Sequence, residues 1–524
     1  MIYDAKKMEV KDIISTNSVC IIGGGVAGII LALEISRRKL NVIVLESGTD
    51  VFDESTQVLY KAQSFPAIFP NPHYSRLRML GGSSNHWENS TERFDPIDFE
   101  KRSWISNSGW PINYSDIEKY YPEAETYCGV NGGGYDLPSW LDQLKIEDLS
   151  ESSKRLYTSI IKSAVPPTNF YRKYKNELAR SRRIQVYKNA NVTDIIFNES
   201  KNKVNGVVFQ SDPGKKFSIT AGQFILCAGG IENARLLLHF NKKYNDKLGN
   251  QYDNVGRYFM EHPVIRGAHF YPFSKTVPQI YSGYFHESKL VKARLKLNRE
   301  QLESHKTYNL RTILVKQPYS TLSHGISSAH ILKQGYIDEN FGLHLSNILK
   351  DYDVIADAFS RKIADFPLIK NEDYEYDYQV LAMIEQTPYR NNRVYLGHKL
   401  DKFGLPKVKI DWTVTQIDRD MAWKSLELFA VDPAINKHGR VRLLYERDDR
   451  IWYDQLGFSQ HHIGSTRMAE NYSDGVVGAD SKVYGTKNLF IAGSSVFPTG
   501  GHVPPTLTIA AMAIKLGNEI YIGE

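Results

Sequence analysis

Residues 18–48 read SVCIIGGGVAGIILALEISRRKLNVIVLESG, and this stretch decides the fold. Val19 to Ile22 is a short apolar run of the kind that forms a strand buried on both faces. Gly23, Gly25 and Gly28 follow it at the G-x-G-x-x-G spacing. Ala27 to Arg38 then has helical periodicity, and Val42 to Leu45 is a second buried strand that ends at Glu46. Each part has its own physical reason. Gly23 permits a tight turn, Gly25 lets backbone approach a pyrophosphate, and Gly28 lets the helix lie close to the strand. The helix N-terminus offers free N–H groups and the positive end of a dipole. Glu46 suits the two hydroxyls of a ribose and repels a 2′-phosphate. A bare glycine spacing says little; the strand–turn–helix–strand–acid order points to a dinucleotide site in an α/β fold.

The rest of the composition narrows the field. A chain of 524 residues is too long for one core. Its formal charge of +6 is spread without a basic stripe, which argues against a nucleic-acid partner. Cys20, Cys128 and Cys227 are far apart, with no C-x-x-C, so neither a disulfide framework nor a zinc site is expected. A reducing, cytoplasmic location follows from that pattern. The opening MIYDAKKMEVKDII has no apolar signal core, and the run Ile21–Leu33 is too short to span a bilayer.

Farther along, residues 51–75 read as loop, either a surface loop with its own aromatic packing or a flap over a pocket. Gly81-Gly82-Ser83-Ser84 is a second small-residue turn, followed by Asn85-His86-Trp87. Asn113 or Ser115 caps a helix beginning near Asp116, and residues 125–180 read as partly helical. Period-two alternation over 183–227 gives a three-stranded meander returning to the parallel sheet. Its last strand runs into Ala228-Gly-Gly-Ile-Glu-Asn-Ala-Arg235, a second strand–glycine–helix junction. Residues 264–450 suggest an antiparallel sheet with helices against it, including a helical stretch near 340–365. The last block holds Ser459-Gln-His-His-Ile-Gly-Ser-Thr-Arg-Met468, a strand over Leu489–Ala492, and a helix that begins at Pro504-Pro505.

These segments, in this order, resemble the glucose–methanol–choline (GMC) oxidoreductases, which are FAD enzymes. The likeness is carried by the N-terminal fingerprint, the 81–84 turn, Ser108-Gly-Trp-Pro111 and Cys227–Arg235. Asn254-Val-Gly-Arg257, His461–Met468 and Pro505-Thr-Leu-Thr508 extend it. Asn85-His86-Trp87 and Arg93-Phe-Asp-Pro96 are most similar to the pyranose-oxidase branch. The resemblance implies an α/β architecture, α+β overall. Its Rossmann-like FAD-binding unit comes from 1–100, 181–263 and 456–524, and its substrate unit from 101–180 and 264–455. It implies that Gly23, Gly25, Gly28 and Glu46 hold the ADP half of FAD, with Val192 near the adenine and Gly229 near the pyrophosphate. Arg78, Gly81, Gly82, Ser83, Asn85 and His86 would run along the flavin, and Gly493 and Thr506 would meet its ribityl or pyrimidine part. His86 falls where some members tether the flavin covalently; the alternative is a histidine packed beside Trp87.

The resemblance also implies a small-molecule hydroxyl substrate, a sugar, glycoside or polyol, whose proton is taken by His461. His462 reads as structural. The family usually places a histidine or asparagine just before Pro505-Thr506, but Pro504 has no side-chain donor or acceptor. His502, two residues upstream, is either its replacement or a plain loop residue. A second departure is Glu88, a carboxylate where small residues are usual. Three other readings stay open: atypical or redox-neutral chemistry on a biosynthetic intermediate, a non-catalytic flavin-binding module, and a nicotinamide enzyme. The last leaves the C-terminal segments unexplained.

Overall fold

A computed structural model describes residues 1–9, 13–14, 18–140, 147–274, 277–317, 324–333, 341–352, 355–356, 359, 377–444 and 456–521. At its centre lies a six-stranded, wholly parallel sheet. Its order is Ile2–Asp4, Ile184–Lys188, Asn41–Leu45, Ser18–Ile22, Gln223–Leu226, Leu489–Ile491. Strands from the start, middle and end of the chain thus meet in one layer. Ser18–Ile22 is buried along its whole length, which is why it is apolar without alternation. Helix Val26–Arg37 packs against helix Thr506–Glu519, so the two ends of the chain close over one another. Cys20 and Cys227 sit in or beside neighbouring strands of this sheet, and all three cysteines are buried free thiols.

The meander is present as Asn191–Phe197, Val204–Asp212 and Lys215–Thr220, joined by the short strand Ile13–Ile14. The second large layer is an eight-stranded antiparallel sheet. Its main path runs Tyr284–His286, Lys289–Leu297, Leu310–Gln317, Asp377–Ile384, Pro263–Pro272, Gly439–Leu443. One face buries Val291, Ala293, Leu295 and Leu297 in a separate apolar cluster. Helix Gln416–Ala430 packs there, with Leu426 lying where a Cβ on Gly267 would sit. The other face carries buried charge: Lys296 meets Glu92 at 3.2 Å and Asp95 at 3.0 Å, and Arg311 meets Glu92 at 3.3 Å.

Several expectations need adjustment. Residues 125–180 contain a nine-residue strand, Leu156–Ala164, paired along its full length with Lys289–Leu297. Eight of its nine residues are buried, so it shows no alternation, and its partner is more than a hundred residues away. Residues 51–75 are neither pure surface loop nor detached flap. They include the short helix Glu54–Gln57 and bury Phe69, while Tyr60, Ser75 and Arg76 form part of a cavity wall. Asn113, not Ser115, caps helix Tyr114–Glu118, with Asp116 completing the capping box. Of the helical stretch expected near 340–365, Phe341–Lys350 is observed, and most of the stretch 351–365 lies outside the described residues.

Candidate functional site

The principal cavity, about 250 Å³, lies at the carboxyl ends of the parallel strands, where open α/β sheets place their ligands. Gly23, Gly25, Glu46, Arg78, Gly82, Ser83, Val192, Gly229, Gly493, Thr506 and His461 all line it. Segments more than 430 residues apart in sequence therefore share one wall.

The glycines in it do different things. A Cβ on Gly28 would sit 2.0 Å from the carbonyl oxygen of Gly23, so this position holds helix against strand and does not reach the cavity. Gly23 has φ +115°, and a Cβ there would be 2.5 Å from Cys227 O. Gly25, Gly229 and Gly493 face open space instead. Glu46 is buried; its Oε2 accepts from Gly24 N at 2.8 Å and its Oε1 from Gly48 N at 2.7 Å. The 81–84 turn is braced from behind: Gly81 N donates to Gly24 O at 2.8 Å.

Charge gathers on one flank. Arg76 and Arg78 lie over the Tyr60 ring at 3.9 and 4.9 Å, and both reach Glu232, which Arg235 also contacts at 3.1 Å. Burial alone would raise the Glu232 carboxyl, but Arg235, Arg78 and Arg76 overcome it and hold it at about 2. The buried Nε of Arg78 has no hydrogen-bond partner.

Another part of the wall carries histidines. The 461–468 segment runs beside 494–496, with Gly464 N donating to Ser494 O at 3.1 Å, Thr466 N to Ser495 O at 2.8 Å and Met468 N to Val496 O at 2.8 Å. His461 Nδ1 is 2.9 Å from Nδ1 of His262. His461 is held well below an ordinary histidine, first by burial and then by His262, Arg311 and His462. His462 stacks on Phe259 at 6.0 Å and lies 6.1 Å from Phe69, as a packing residue does.

Besides Gly28, four residues proposed from sequence lie away from the cavity wall. Gly81 backs onto Tyr171, and Asn85 donates to Leu80 O at 3.0 Å and Gly82 O at 2.7 Å, bracing the turn from behind. His86 is exposed and outside the lining, whereas Trp87 is in it, donating to Thr168 O at 2.8 Å. His502 is fully buried, away from the cavity lining, with Asp95 4.0 Å from its Nε2. The imidazole that meets His461 is His262, not His502. Glu88 is exposed and off the lining, so the carboxylate that sequence set near the flavin points elsewhere. Sequence reasoning passed over His262 and Glu232, although Glu232 stands inside the 228–235 junction; Glu261-His262-Pro263 at the head of a strand is the signal that was available for the other.

Two family models match, a GMC oxidoreductase model over residues 388–513 and an FAD dependent oxidoreductase model over residues 18–245. The chain carries a GMC oxidoreductase domain at its C-terminal end and an FAD dependent oxidoreductase domain before it. Its cofactor is FAD, and the observed cavity suits one: Gly25, Gly229 and Gly493 leave space that any side chain would fill, and Arg78 Nε is a free donor. Similar proteins include 2-methyl-1,2-propanediol dehydrogenase of Mycolicibacterium austroafricanum, 22% identical over 96% of this chain and 94% of that one. The fructose dehydrogenase large subunit of Gluconobacter japonicus is 23% identical over 96% and 97%. Among solved structures, pyridoxine 4-oxidase from Mesorbium loti shares the fold with a TM-score of 0.53 at 15% identity, covering 97% of this chain and 99% of its own. Among the described residues no helix is long and apolar enough to cross a membrane.

Proposed function

We propose that this GMC enzyme oxidises a CH–OH group of a sugar, glycoside or polyol, with His461 as the proton acceptor. One observation carries the reading: the His461 imidazole stands in the wall of the same cavity that the glycine turns leave open. FAD, when bound, supplies the electron-accepting ring. The chain supplies a base, and His461 is a neutral imidazole at neutral pH because burial disfavours its cation. The substrate class follows the relatives, one named for a diol and one for fructose.

The FAD contacts are part of the same proposal. Glu46 would meet the adenosine ribose, Val192 the adenine, Gly25 and Gly229 the phosphates, and Gly493 and Thr506 the pyrimidine end. Residues 1–100, 181–263 and 456–524 would form the cofactor unit, with 101–180 and 264–455 forming the substrate unit. A cytoplasmic site of action fits three buried free thiols.

The test is anaerobic bleaching. Mixing the yellow enzyme with sugars, glycosides and polyols bleaches the flavin with at least one of them, and His461→Ala slows that bleaching. If no compound bleaches it, the hydroxyl reading is lost. Pro504 favours a second reading, atypical or redox-neutral chemistry on a biosynthetic intermediate, since it is buried and brings no polar group to the base. Unchanged turnover in His461→Ala would select that second reading.

A further inference from the structure

We propose that His262 is the positioning residue for His461, fixing it in the tautomer whose Nε2 lone pair is free to accept the substrate proton. This rests on the His461 reading above. It also explains how the base is oriented in a chain with Pro504 where a polar side chain usually stands.

Hydrogen-bond direction carries the inference. His262 Nε2 is 3.1 Å from the carbonyl oxygen of Gly500. A carbonyl only accepts, so Nε2 of His262 bears the hydrogen. Burial holds His262 neutral, its pKa pulled down to about 3, so its Nδ1 is a bare lone pair. That nitrogen lies 2.9 Å from His461 Nδ1. Two nitrogens at that separation share one hydrogen, and only His461 has it to give. His461 is then Nδ1–H, and its lone pair is on Nε2.

The same bond acts again when the proton arrives. Protonated His461 still donates through Nδ1, now as a charged donor to a neutral acceptor, and the bond strengthens. The cation gains a partner without a carboxylate beside the ring.

The backbone builds the pair. Met260 and Ile463 exchange two N–H···O bonds of 2.9 and 3.0 Å, placing 260–262 alongside 461–463. One carboxylate oxygen, Glu261 Oε1, accepts from His461 N at 2.6 Å and His262 N at 2.9 Å. The two rings are set nearly perpendicular, 87° apart. His262 is fully buried, so it acts only through His461.

The decisive measurement reads the rings directly. In 15N-histidine spectra of the flavin-loaded enzyme, the ring lost in His461→Gln carries its hydrogen on Nδ1. The ring lost in His262→Asn carries it on Nε2. Kinetically, His262→Ala lowers kcat by about 10- to 100-fold with KM nearly unchanged. His262→Asn, whose amide oxygen takes the place of Nδ1, recovers most of the loss. A His461 ring protonated on Nε2 in the unmodified enzyme overturns the proposal, as does a His262→Ala enzyme with full kcat. If His461→Ala turns over normally, the base reading itself has failed. If His461→Ala is inactive and His262→Ala is not, only the positioning role has. Should His262→Ala fail to fold, the spectrum of the unmodified ring still decides.

Discussion

The two walls of the cavity are built by opposite means. The glycine wall, Gly23–Glu46 with Gly229–Gly230, is made of backbone and flanked by ions: Arg76, Arg78 and Arg235 around Glu232. The histidine wall is made of side chains that burial keeps neutral, His461 and His462, with His262, also neutral, behind His461. A wall of backbone and fixed charge suits a ligand that stays and is itself anionic. A wall of neutral imidazoles suits a proton that comes and goes. Each wall should therefore fail in its own way.

The largest expected effect is at the histidine wall. His461→Ala lowers kcat by roughly 10²- to 10⁴-fold, the usual contribution of a positioned base, while the flavin-to-protein absorbance ratio stays unchanged. Flavin loss together with activity would mean that this wall also holds the cofactor, and the contrast would collapse.

Next comes Glu232. Its folded pKa of about 2 lies below the unfolded 4.5, so its ionised form contributes stability above pH 4.5. That contribution is lost as pH falls from 4.5 through 2. Glu232→Gln leaves Arg76 and Arg78 without their anion, while Arg235 keeps Asp401 at 2.7 Å, and costs about 3 kcal/mol at neutral pH. Denaturant melts of the two proteins should differ at pH 7 and converge on acidification. A constant gap would show that packing, not charge, is what Glu232 provides.

How legible each wall is in sequence depends on how it is built. Gly23, Gly25, Gly28 and Glu46 lie within one strand–helix–strand unit, so their spacing alone conveys the geometry. The His262–His461 contact spans 199 residues and depends on the pairing of Met260 with Ile463, which no local pattern encodes. His502 attracted attention because it is near Pro504 in sequence, yet it points into the charged layer beside Asp95. Strand Leu156–Ala164 escaped notice for a related reason: buried on both faces, it has no period to read. Asn85 and Gly81 were in the right turn but on its far side.

A smaller effect is expected at the glycine wall, in the converse sense to His461→Ala. Gly25→Ala places a Cβ with no protein atom within 4 Å but in space the cofactor needs, costing about 1–3 kcal/mol of flavin affinity. Flavin release during dialysis should rise, while the fraction that stays loaded turns over at the normal rate per flavin. A changed rate per flavin would mean that the two walls are coupled through the ring they share.

The smallest effect concerns pH. His461 faces His262, His462 and Arg311, and its backbone N–H is held by Glu261; burial, then its His262, Arg311 and His462 neighbours, depress its pKa well below 6.5. A base is active when unprotonated, so the rate falls only as pH drops through that depressed value. Between pH 6.5 and 8 the unprotonated fraction is already near one, and kcat/KM should vary by less than about twofold. Its acid limb should lie below pH 6.5. A limb at or above 6.5 would mean that the imidazole is solvated or sits beside an anion when substrate binds. The neutral wall would then be as charged as the glycine wall.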